Sequence, residues 1–127
     1  MRTIALAALV TLMASAAMAD PLEGVWQTQP DDGAYARVEI TPCGANFCGT
    51  IIHSYKDGAE FKSPNVGKMV VIDMAPQGGG EYKGKVWRPS NDKIYSGNIV
   101  LSGDSMRLAG CIAGGLLCSK QTWTRLK

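Results

Sequence analysis

Histidine is nearly absent from the chain: His53 is the single one among 127 residues. A serine or cysteine nucleophile needs a positioned base beside it. His53 stands at a strand end, and having Ser54, Asp57 and Glu60 near it in sequence does not assemble a triad. Glycoside cleavage needs a matched pair of carboxylates, and Asp31-Asp32 reads instead as turn chemistry. No phosphate-cradling loop is present, since Gly78-Gly79-Gly80 lacks a following lysine and helix. Runs of basic residues are also missing, and a net charge of +2 is too mild for a nucleic-acid-binding face. No catalytic residue is assigned, and neither enzymatic activity nor a cofactor is expected.

The apolar residues are 46% of the chain, too many for a disordered polymer. Part of that content is concentrated at the start. Arg2 followed by the apolar stretch Ile4 to Met13 and by Ala17-Met18-Ala19 has the form of a secretory leader with an A-x-A cleavage signal. The apolar stretch is too short to cross a bilayer, and no other segment is long enough. Residues 1–19 are therefore expected to be removed, leaving 20–127 as one domain in the periplasm or secreted medium.

All 15 glycines fall after that leader. With proline, asparagine and aspartate they interrupt the chain at spacings typical of short strands and tight turns. Between the interruptions the period is two. Tyr35 to Ile40 alternates strictly, and Glu81 to Trp87 and Ile94 to Leu101 set Tyr82, Val86, Tyr95, Ile99 and Leu101 opposite polar residues. Val25 to Thr28, Phe47 to His53, Met69 to Met74, Met106 to Leu108 and Leu117 to Leu126 complete about eight strands. Ser54 to Gly67 reads as a loop with room for one helical turn. The fold expected is all-β: a small antiparallel up-and-down barrel of about eight strands, closed so that no edge is exposed.

Four cysteines permit three pairings. Cys43 and Cys48 flank one glycine-containing turn and Cys111 and Cys118 another, and hairpin geometry favours these two local bridges. Zinc ligation wants two-residue spacings, and redox chemistry wants Cys-x-x-Cys. Neither spacing occurs, and no metal site is assigned. Gly24-Val-Trp26 opens the first strand and Trp123-Thr-Arg125 the last. In a closed barrel these strands are neighbours, so Arg125 is expected to stack on Trp26 and plug one end.

These segments, with Cys43-Gly…Phe47-Cys48-Gly-Thr-Ile51, Gly84-Lys-Val-Trp-Arg-Pro89, Lys93-Ile-Tyr95-Ser-Gly97 and Leu108-Ala-Gly110-Cys111, occur in an order that resembles the secreted bacterial family called domain of unknown function 2147. The chain departs from that family's pattern in the middle, where Ser63-Pro-Asn-Val-Gly67 runs directly into Met69. The resemblance implies a lipocalin-like β-barrel and an envelope or secreted location. It implies no reaction.

A barrel of eight strands either fills with side chains or holds one small ligand. The first reading of function is a binding module for a small hydrophobic or amphipathic ligand, with Asp73, Tyr82 and Tyr95 as polar contacts. Asp73 also fits a bulge or a strand end. The alternative is a filled barrel acting as a protein–protein inhibitor or assembly module of the envelope, with Trp87 and Arg88 as interface anchors.

Overall fold

A computed structural model describes residues 19–126. The leader expected over Met1 to Ala19 lies outside the described residues except for its last one. Nine strands follow in chain order: β1 (Gly24–Gln27), β2 (Ala34–Cys43), β3 (Asn46–Lys56), β4 (Ala59–Phe61), β5 (Met69–Gly78), β6 (Glu81–Arg88), β7 (Lys93–Ser102), β8 (Ser105–Ile112) and β9 (Leu117–Arg125). Every strand pairing is antiparallel. Hydrogen-bonded neighbours run β2-β1-β9-β8-β7-β6-β5-β3, and β2 pairs again with β3. Eight strands thus close into an up-and-down barrel, the all-β architecture expected from the alternation.

The ninth strand corrects the expected loop over Ser54 to Gly67. β3 continues to Lys56, turns at Asp57-Gly58 with both residues at positive φ, and returns as β4. An Asp-Gly pair at that position is a two-residue hairpin turn. β4 pairs with β3 at Ser54 to Lys56, above the stretch from Phe47 to Thr50 that pairs with β5. It therefore extends one wall of the barrel.

The two ends are built differently. At one end, here called the floor, β2–β3, β5–β6 and β7–β8 are joined by tight turns at Gly44-Ala45, Gly79-Gly80 and Gly103-Asp104. At the other end, the mouth, the connections 28–33, 62–68, 89–92 and 113–116 are longer. The core occupies the floor half: Leu22, Ile40, Met74, Ile99 and Met106 are fully buried, together with Val38 and Val71 at mid-height. The segment before β1 seals the floor, because Leu22 is driven into the barrel end and Trp26 Nε1 donates to its carbonyl at 2.9 Å.

Arg125 locks that seal. Its guanidinium carbon lies 4.3 Å from the ring centroid of the fully buried Trp26. Nη1 donates to the Glu23 carbonyl at 2.8 Å, and Nη2 donates to the carbonyl of Pro21. Nε faces Asp104 at 3.4 Å. The seam it covers is short, with β1 and β9 meeting at Trp26↔Arg125 and Gln27↔Thr124. Gly24 makes the approach possible, since a Cβ there would stand 2.9 Å from Arg125 Nη1, and its φ of +133° suits glycine.

The disulfides are Cys43–Cys48 and Cys111–Cys118. The first staples the β2–β3 hairpin at the floor, the second the β8–β9 hairpin at the mouth. Their sequence separations are 5 and 7, so each removes little unfolded-state entropy and contributes at most about 2–3 kcal/mol. Reduction of both should lower the melting temperature while far-UV circular dichroism still reports an intact barrel at 25 °C. Arg125→Ala should destabilise by about 2–4 kcal/mol in urea unfolding, from lost stacking and stranded carbonyls. Arg125→Lys should recover only part, because an ammonium has no plane to stack and no fork of donors.

Candidate functional site: a cavity at the mouth of the barrel

The core stops about halfway up the barrel, and above it lies a cavity of about 540 Å³. Its wall is formed by inward side chains, most from the mouth halves of the strands: Ala36 and Val38 on β2, Ile51 and Ser54 on β3, Val70 on β5, Val86 on β6, Tyr95 on β7 and Leu108 on β8, with Trp123 of β9, paired to Met106, at the base. Ala36, Gly110 and Ser54 are small, which is why the mouth half stays open while the floor half, with Met74, Met106, Phe47 and Trp26, is full. Phe61, Ile112 and Leu117 line the opening and are 44%, 46% and 63% exposed, so part of the rim is apolar as well.

The polar groups gather at the rim. Asp31 and Arg88 are the charged residues among those lining the cavity, and they meet each other. Arg88 Nη2 donates to Asp31 Oδ2 at 2.9 Å and Nε to the same oxygen at 3.3 Å. Asp31 belongs to the β1–β2 connection and Arg88 ends β6, strands on opposite sides of the ring, so the pair spans the mouth. The hydrogen bond and charge of Asp31 raise the Arg88 pKa further above its ordinary value. Asp31 is held by a hairpin of its own: it exchanges backbone hydrogen bonds with Ala34 at 2.8 and 3.0 Å, around Asp32-Gly33 with both φ positive. That turn is tied to the next one by Asp57 N donating to Gly33 O at 3.0 Å and Lys56 Nζ to Asp32 O at 2.6 Å. Beside the pair, Asn91 Nδ2 donates to the Tyr95 hydroxyl at 2.6 Å. On the rim Tyr35 and Tyr55 stack with centroids 4.8 Å apart, and Arg37 sits 5.0 Å from the Tyr55 centroid. Partial burial raises the Tyr55 phenol pKa, opposed by the nearby Arg37 charge.

The residues expected as polar ligand contacts separate. Tyr95 lines the cavity. Tyr82 does not: it is buried in the floor, where its hydroxyl donates to Asp20 Oδ1 at 2.5 Å and its ring meets Phe47 edge-on at 6.0 Å. Both tyrosines face inward, but Tyr82 follows the first residue of β6 at the floor, whereas Tyr95 pairs with Val86 near the mouth. Asp73 is also away from the cavity. It sits exposed in β5 with φ +53°, within a register irregularity between Ile72 and Ala75, and accepts a hydrogen bond from Asn46 Nδ2 at 3.3 Å. Of its two readings, the bulge is the one found. Asp73 lies close to Cys43 and Cys48, but those sulfurs are joined to each other, leaving one carboxylate as a ligand.

The expected interface anchors are engaged at the rim. Trp87 is half-buried, donates to Asp92 Oδ1 at 2.8 Å and carries Lys68 Nζ 5.4 Å from its ring centroid. Arg88 is committed to Asp31. Trp123, grouped by sequence with the closing residues, stands apart from the Arg125–Trp26 stack. It is buried, lines the cavity, and donates from Nε1 to Gln121 Oε1 at 2.9 Å. Sequence reading missed Asp31 because it falls in a turn, 57 residues from its partner. His53 is on the outside, exposed, with Nδ1 3.4 Å from Glu60 Oε2.

Burial and the hydrogen bond to Asp20 push the Tyr82 pKa well above its ordinary value of about 10. The folded state therefore favours the neutral phenol, a contribution fully present below about pH 10 and lost as pH rises beyond it. Chemical denaturation should show stability falling above pH 10, and Tyr82→Phe should flatten that fall.

Comparison with known proteins agrees with this architecture. No curated protein matches the sequence. Among solved structures, a protein described as "Protein HP1028 from the human pathogen Helicobacter pylori belongs to the lipocalin family" is similar in fold, with a TM-score of 0.67 and 24% identity over 84% of this chain and 83% of that one. The profile of a family described as "Uncharacterized protein conserved in bacteria (DUF2147)" matches residues 24–125. The chain, a lipocalin-like barrel, belongs to that bacterial family.

Proposed function

We propose that the protein is an extracytoplasmic binding module that holds one small hydrophobic or amphipathic molecule in the mouth half of the barrel. The observation that carries this reading is the cavity of about 540 Å³ with its apolar and aromatic wall, a size and lining typical of small-molecule sites. Phe61, Ile112 and Leu117 support it, since they give an apolar guest exposed apolar surface at the opening. Two disulfides support a location outside the cytoplasm, where such bridges persist. A binding role rather than a catalytic one is supported by the position of the sole histidine, outside the barrel and paired with Glu60.

Titration with the neutral fluorescent dye N-phenylnaphthylamine should give saturable binding of one molecule per barrel. Ala36→Phe, which adds a ring to the cavity wall, should weaken that binding about tenfold or more with unchanged circular dichroism. A dye signal that stays linear and is insensitive to Ala36→Phe would overturn the reading.

A further inference from the structure

The cavity has a mainly apolar chamber and, among the residues lining its mouth, one charged pair. We infer that the Asp31–Arg88 pair is a headgroup selector, matched to an amphipathic molecule whose polar end is uncharged and both donates and accepts hydrogen bonds, such as a hydroxyl. The inference rests on the proposed cavity-binding function and adds the chemical class of the guest.

Asp31 and Arg88 are the charged groups of the cavity lining, so the lining carries no net charge. Arg88 directs both Nε and Nη2 at a single oxygen of Asp31, Oδ2. Oδ2 is thus the shared oxygen, and the pair as a whole offers both carboxylate acceptors and guanidinium donors at the rim. A hydroxyl can donate to the carboxylate or accept from the guanidinium without breaking the ion pair. A carboxylate has no proton to donate. It would meet Arg88 with Asp31 already bound and add a second negative charge at short range, a like-charge contact that opposes binding where the site is partly desolvated. Asp31 cannot easily withdraw, because the Asp32-Gly33 hairpin and its tie to the Lys56–Gly58 turn fix the position of its backbone. Tyr95, held by Asn91 at 2.6 Å, places a further hydroxyl on the same rim. Below this cluster the wall is mainly apolar down to Trp123 and Leu108, which suits an alkyl chain.

Displacement of bound N-phenylnaphthylamine by decanol and by decanoate, at neutral pH where the acid is ionised, tests this. The intact protein should prefer decanol by about tenfold. Asp31→Asn removes the opposing charge and leaves Arg88 alone, so it should erase or reverse that preference. Arg88→Gln leaves Asp31 alone and should widen it. Opposite movements of one ratio by two neighbouring variants follow from charge and not from a general loosening of the rim. The selector is overturned if the intact protein prefers decanoate, if both variants leave the ratio unchanged, or if neither compound displaces the bound dye. In each of those outcomes the dye still binds, so the cavity function stands. Failure of the dye itself to bind removes the cavity function instead.

Discussion

The stack of Arg125 on Trp26 is the contact on which the rest of the barrel depends. A closed sheet needs its first and last strands to meet, and here they meet over a short seam at the end of each strand. Backbone pairing of that length is weak by itself. One guanidinium compensates by covering the Trp26 indole and satisfying two carbonyls of the segment that seals the floor. The same residue thereby fixes ring closure and the position of Leu22, which completes the core from below. Gly24 is the matching concession in the partner strand, a side chain given up so that the cation can approach.

Closure at the floor explains why there is space at the mouth. Trp26, Met74, Met106, Phe47 and Tyr82 sit at the sealed end, where tight turns bring the strands together. Toward the other end the wall changes to Ala36, Ser54 and Gly110, and the connections lengthen. A barrel of this strand number can fill or stay open. This one does both, in separate halves.

Much of the fold is legible in the sequence because period-two alternation is a direct consequence of one face being buried. Eight strands, their order and the two stapled hairpins follow from it and from turn chemistry. The strand Ala59–Phe61 is not legible, since Ala59, Glu60 and Phe61 are all exposed and carry no alternation. The candidate site is legible only in part. Alternation says that Tyr82 and Tyr95 point inward but not how high each stands, and height decides between the floor and the cavity. Register supplies the height, setting Tyr82 against Ile99 and Tyr95 against Val86. The Asp31–Arg88 pair has no local signature, because it joins the β1–β2 connection to the end of β6, brought together only when the ring closes.

The difference between the two ends also separates two lifetimes. Opening the floor requires removing Leu22 and breaking the Arg125 contacts, which amounts to undoing the ring. Opening the mouth requires only that one partly exposed ion pair part and that loops move, events at the low end of the range of local opening energies. Under the proposed function, residence of a guest would be set by the rim and persistence of the fold by the base.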